Sequence, residues 1–176
     1  MILRKINAAV SLVTTLLLLN HAAAHGLWML TGRSFIKSAA SIPWILFGLM
    51  MAHAIISIVL AFLGHKGAEK RKCNGYAKLN VGTNIQRFSG LLLIVLTVLH
   101  ILGTVGILTP PDAVHKVLPP VFFAIVLMHA AISTGKAFIT LGIGNAKFFK
   151  VADVAAKVIC GLTLAIDIVG FYRYFG

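Results

Sequence analysis

The sequence predicts an all-α protein: a single-domain integral membrane bundle of five transmembrane helices. Three observations lead there. Five long apolar stretches punctuate the chain, each close to the roughly 20 residues that a spanning helix needs. Hydrophobic residues make up 59% of the 176 and charged residues only 11%, where a soluble domain carries about 25%. The charges that do occur are mostly basic, 16 Lys+Arg against 4 Asp+Glu, and they sit in the gaps between apolar stretches. In a soluble chain that balance would point to nucleic acid. Here it points to membrane lipid with an anionic surface, and no nucleic-acid partner is expected.

The first stretch runs from about Ile6 to Leu30. Its opening, RKINAAVSLVTTLLLLNHAAA, has the basic start, apolar core and A-x-A end of a secretory signal; it is read as a retained membrane helix. The second runs from about Ile42 to Leu63, with Pro43 in its first turn, where proline is tolerated. The basic segment GHKGAEKRKCNGYAKLN leads to the third, about Phe88 to Leu108. Pro110, Pro111, Pro119 and Pro120 are placed at helix ends, so TPPDAVHKVLPP reads as a short turn before the fourth stretch, about Val117 to Leu141. The fifth covers about Val151 to Tyr172. All are too long for strands, and open sheets do not cross lipid. Cys73 and Cys160 lie far apart and show neither a disulfide framework nor a zinc spacing; Cys160 is read as packing.

The connections set the orientation. One side holds Arg4 and Lys5, then Lys66, Lys70, Arg71, Lys72, Lys78 and Arg87, then Lys136, Lys147 and Lys150. The other holds only Arg33, Lys37, Lys116 and Arg173, with Lys157 inside the fifth stretch. The positive-inside rule then places the N-terminus in the cytoplasm and the chain in the cytoplasmic (inner) membrane.

Seven histidines occur. His65 and His115 fall in loops. His21, His25, His53, His100 and His129 lie inside apolar runs, on four successive helices. Ionisable groups in lipid are expensive and default to a functional reading; the alternative is a neutral imidazole hydrogen-bonded to a neighbouring helix. Zinc sites and proton relays would recruit carboxylates as well, and only Asp153 and Asp167 lie in a membrane segment, both on the fifth helix. Haem iron takes neutral axial imidazoles, which a bundle core supplies from facing helices. Four such helices point to two haems in a four-helix core, each with both axial positions filled, which suits electron transfer.

Depth suggests the pairs, at about 1.5 Å of rise per residue. His21 and His100 come sixteen and thirteen residues beyond Lys5 and Arg87 on outward helices. His53 and His129 come eleven and seven residues before Gly64 and Lys136 on returning ones. His25, one turn beyond His21 on the same face, is the alternative first-helix ligand.

RFSGLLLIVLTVLH, Arg87 to His100, resembles the third-helix signature of the one-subunit, five-helix, two-haem cytochrome b anchors of succinate dehydrogenases and fumarate reductases. The matching residues are Arg87, Phe88, Ser89, Gly90 and His100. HAAISTGKAFITLG is similar to that family's fourth-helix pattern through His129, Ser133, Leu141 and Gly142, with Ala130 where glycine is usual. HAIISIVLAFLGHKGAEKRKCNGYAK is similar to the second helix through His53 and Tyr76, without the usual Ala-Arg-Pro. The first helix matches loosely, lacking the Thr-Gly before its histidine. Ser89 and Gly90 would let a helix or porphyrin approach closely, and Arg87 could pair with a haem propionate or simply snorkel. Thr97, Thr104, Ser133 and Thr134 would bond propionates or, as the preferred reading, their own helix.

The resemblance implies a membrane anchor with two haems b, passing electrons between a cytoplasmic flavoprotein and iron–sulfur subunit and a quinone, menaquinone being the type expected. It allows a homodimer of complexes, and no activity towards dicarboxylates by the chain alone. Alternatives are a b-type cytochrome of a hydrogenase, formate dehydrogenase or ferric reductase, or a haem-free small transporter. Trp28, Trp44, Arg33 and Lys37 read as an interfacial aromatic belt. Asp153 and Lys157 are spaced to pair, and Asp167, near Arg173, reads as a snorkelling or capped carboxylate, the alternative being contact with a partner, quinone or proton path.

Overall fold

The computed structural model describes residues 2–33, 42–68, 77–108 and 112–175. They form five helices and, among the described residues, no strand: α1 (Ile2–Thr31), α2 (Ile42–Ala68), α3 (Ala77–Thr104), α4 (Asp112–Leu141) and α5 (Ala146–Phe175). All five contain a span long and apolar enough to cross a membrane, which makes this a multi-pass membrane protein.

The helices overrun the apolar stretches. α3 begins at Ala77, eleven residues ahead of Phe88, because its polar entry continues the same hydrogen-bond ladder outside the apolar run. α4 begins at Asp112 and carries Pro119 and Pro120 inside it. The expected turn is therefore helix, and His115 and His65 lie within helices rather than in loops. Each proline deprives the carbonyl four residues earlier of its donor, which membrane helices accommodate by local adjustment. Pro43, near the α2 N-terminus, fits as expected.

The tight turns have identifiable chemistry. Gly106 (φ 76°) and Gly142 (φ 74°) occupy the left-handed region. Gly142 N–H bonds the Ile139 carbonyl and Ile143 N–H the Phe138 carbonyl, at 3.1 and 3.2 Å, a Schellman cap on α4. Asn145 then caps α5, its Oδ1 accepting from Phe148 N–H at 2.9 Å.

α1 and α4 contact each other and both pack on α5; α2 leans on α1, and α3 on α4. α2 and α3 scarcely touch, and α1 and α3 make no direct contact among the described residues. α1 and α3 are thus joined through α4 rather than directly. The core combines Leu18, Leu46, Leu93, Leu96, Phe122, Leu127 and Cys160 from all five helices. Cys160 packs there as expected. Ser11, Thr14, Ser89, Thr97, Ser133 and Thr163 are also buried, while Leu16, Phe62, Phe88 and Leu162 face outward. That distribution suits a bundle whose surroundings are as apolar as its interior, where small residues and hydroxyls make the helix contacts.

Candidate functional site

On α3, Gln86, Ser89, Gly90, Leu93 and Thr97 recur at helical spacing, and Ser89, Leu93 and Thr97 are buried. Opposite them on α4 stands His129. Ser89 Oγ lies 2.8 Å from His129 Nδ1, and the same hydroxyl donates to the Gln86 carbonyl at 3.1 Å. A serine has one hydroxyl proton. With that proton on the carbonyl, His129 Nδ1–H donates to Ser89, and Nε2 then carries the ring's lone pair. A hydrogen bond to the far ring nitrogen fixes the tautomer of a metal-binding imidazole.

Gly90 sets how closely α3 meets that ring. A Cβ there would stand 3.2 Å from His129 Cε1 and 4.0 Å from Nε2. The strap between the helices continues towards one end. Gln86 Nε2 donates to Ser133 Oγ at 3.1 Å, Ser133 Oγ to the His129 carbonyl at 2.6 Å, and Lys136 Nζ to Gln86 Oε1 at 2.8 Å. Gln86 was missed in reading the sequence, although it lies one turn before Ser89–Gly90 on their face. Arg87, one residue on, is exposed.

His53 on α2 is half-buried. Its Nδ1 is buried and has no hydrogen-bond partner among the described residues, while the Asn7 backbone approaches the ring from α1. Asn7 Nδ2 also donates to Ser57 Oγ at 3.1 Å, tying α1 to α2 beside it. His53 lies within electrostatic reach of His129.

The other histidines form a second set. The His100 ring stacks on Phe122 of α4, centroids 5.0 Å apart and planes at 23°. His21 and His25 on α1 both lie within electrostatic reach of His100. Their own rings are 6.4 Å apart, as expected one turn apart. His21 is half-buried; His25 and His100 are exposed. His25 continues through Trp28 (5.7 Å) to Tyr174 of α5 (5.0 Å from Trp28), so Trp28 joins an inter-helix aromatic contact as well as facing outward. The structure therefore groups His53 with His129, and His100 with His21 and His25.

Other expectations fare differently. Thr104, Ser133 and Thr134 bond carbonyls of their own helices, as read. Thr97 Oγ1 is buried without a partner among the described residues, contrary to that reading. Asp153 and Lys157 pair. Asp167 does not snorkel and is not capped: it is 1% exposed, and neither oxygen has a hydrogen-bond partner among the described residues. It packs at Gly26, where α1 and α5 cross, a tertiary contact that spacing along one helix does not reveal. Lys37, Lys70, Arg71, Lys72, Cys73 and Tyr76 lie outside the described residues.

No group of three or more His, Cys, Asp or Glu side chains converges as a metal site among the described residues. Comparison with family models, with curated proteins and with solved structures finds no match for this chain.

Proposed function

We propose that this protein is a b-type cytochrome and membrane anchor, holding two haems b that pass electrons between a peripheral flavoprotein and iron–sulfur pair and a membrane quinone. The observation that carries the reading is His129, with Ser89 bonded to its Nδ1 and Gly90 letting α3 close on the ring. The fit continues in His53, whose buried Nδ1 has no partner among the described residues; a half-turn of the ring exchanges each nitrogen with a ring carbon, so no bond at Nδ1 holds the ring in one orientation. His129 and His53 would hold one haem, and His100 with His21 the other, His25 being the alternative to His21. Bound there, each haem would supply a one-electron centre.

The chain's own residues do the rest. Ser89 and the Gln86–Ser133 strap hold His129 in orientation. Phe122 fixes the plane of His100. Lys136, Ser133 and Arg87 lie towards one end of the first site, where cationic and hydroxyl groups would suit propionates. By the positive-inside reading that end is cytoplasmic, the side on which the redox partners would dock. Succinate oxidation or fumarate reduction is the partner reaction that the sequence resemblance favours.

Purified chain made with ample haem is expected to show the sharp reduced bands of bis-histidine haem and two haems per chain by pyridine haemochrome. A colourless preparation refutes the proposal. Ser89→Ala should weaken retention of one haem by about 10- to 100-fold, the usual effect of losing the hydrogen bond that orients a metal-binding side chain. Haem loss during gel filtration measures this. Unchanged retention would mean that the Ser89 bond does not orient a ligand.

A further inference from the structure

Away from the histidines, α4 and α5 leave a groove of about 290 Å³ that opens outward. Its walls are largely apolar, with Ile132 and Ile139 on α4 and Phe149 on α5. Gly135 makes room in the α4 wall, since a Cβ there would lie 3.1 Å from Asp153 Oδ1. The charged groups at the groove are Lys136, Asp153 and Lys157. Lys136 is engaged towards α3, where it donates to Gln86. Lys157 donates to Asp153 one turn earlier. An ammonium has three donors, which leaves hydrogens on Lys157 for a ligand.

Lys157 lies eleven residues, roughly 16 Å of rise, beyond the start of α5. Gly135 lies six residues, roughly 9 Å, before the end of α4. The groove is therefore at hydrocarbon depth, where the Lys157 and Asp153 side chains, 56% and 39% exposed, are costly to leave facing lipid. An occupant that relieves this cost is apolar, arrives from the bilayer and accepts a hydrogen bond. The Asp153–Lys157 pair has no net charge and does not select an anion. The volume is at the lower limit of small-molecule sites, roughly 300–1,000 Å³, which suits a ring. The groove also adjoins the first histidine set: Lys136 on its wall lies within electrostatic reach of His129, on the same helix.

We propose that this groove binds the ring of a membrane quinone. The ring lies between Ile139 and Phe149, one carbonyl oxygen accepts from Lys157 Nζ, and the isoprenoid tail leaves through the opening into lipid. The choice of quinone rests on the electron-transfer reading above; the groove, its depth and its donor do not. A phospholipid headgroup would stay at the surface, above Lys157. A partner helix would follow the length of α5 rather than fill a notch at Gly135. The site lies towards the start of α5, at the opposite end from the Trp28–Tyr174 contact.

The test is photolabelling of the purified full-length chain in detergent with an azido derivative of dimethylnaphthoquinone, the labelled residues being mapped by mass spectrometry. Labelling is expected on the groove segments of α4 and α5 and is blocked by excess unmodified dimethylnaphthoquinone, whose equilibrium binding gives the affinity. Asp153→Leu with Lys157→Leu removes both charges together, so that neither is left unpaired. It should weaken binding about tenfold, the loss of one hydrogen bond from a charged donor. Ile139→Trp, at an exposed position, puts an indole into the groove and should abolish saturable binding. Trp28→Phe should leave binding unchanged.

The proposal is overturned by labelling at Trp28 or Tyr174 in place of the groove, by labelling that excess quinone does not block, or by an affinity unchanged in both groove variants. Labelling of the parent chain gives the answer if a variant does not fold. Haem is counted in the same preparation. A colourless chain that binds quinone in the groove refutes the cytochrome and upholds this site, whereas a two-haem chain that binds none there refutes this site and upholds the cytochrome.

Discussion

His129→Ala is expected to leave the protein with one of the two proposed haems. Removing the imidazole would take away one of the two proposed ligands and leave that site with His53 alone. The structural cost outside the haem is small. Ser89 keeps its bond to the Gln86 carbonyl, and Ser133 still reaches both Gln86 and the backbone carbonyl at 129. Loss of the one side-chain bond to Ser89 amounts to about 1 kcal/mol, too little to unfold a five-helix bundle. The remaining haem should therefore report a folded chain.

The grouping of the histidines sharpens the expectation. His53→Ala should lose the same haem as His129→Ala, and the double variant should lose nothing more. His100→Ala should lose the other haem. Pyridine haemochrome gives the count, and low-temperature reduced spectra identify which haem is left. If His129→Ala retains both haems, the His53–His129 site does not exist as proposed. On the first helix, His21→Ala is expected to lose the haem that His100→Ala loses, and His25→Ala to keep it, because His21 is the less exposed of the two. If both single variants keep two haems, α1 supplies no obligatory ligand.

The five spans were legible because a membrane helix announces itself by composition alone. Their ends were not. The residues ahead of Arg87 carry lysine, asparagine and glutamine and give no apolar signal, yet α3 already runs through them. Pro119 and Pro120 looked like boundaries, but proline's missing donor is a local cost that the rest of α4 outweighs.

The histidines were legible for the same reason as the spans: an imidazole in an apolar run is conspicuous. What one chain could not display was which residue across the bundle faces each of them. Arg87 attracted notice by its charge, whereas Gln86 is the side chain that bonds α4. The periodicity of Gln86, Ser89, Gly90 and Leu93 held that information, although no conspicuous residue type flagged it. Asp167 shows the limit most clearly. Its neighbours along the helix place Arg173 nearby, but its burial comes from Gly26, far away in sequence.

That crossing supports the second large effect. Gly170→Ala is expected to destabilise the bundle by about 1–3 kcal/mol, the usual cost of an added methylene in a tight contact. A Cβ at 170 would lie 2.6 Å from the Gly26 carbonyl oxygen, 3.2 Å from Met29 Cβ and 3.3 Å from the Leu30 nitrogen. Two of those three atoms are backbone, so no rotamer change can make room and α1 must move away from α5. Gly161→Ala is the matched control: on the same helix, nothing lies within 4 Å of the added carbon, and alanine is the better helix former by about 1 kcal/mol. The two alanines should therefore shift the unfolding midpoint in opposite directions. Asp167→Asn belongs to the same test, because an amide is far less costly to bury unpaired than a carboxylate and should leave the midpoint unchanged or higher. Equal midpoints for Gly170→Ala and Gly161→Ala would mean that α1 and α5 do not meet backbone to backbone, and the buried position of Asp167 would fall with that contact.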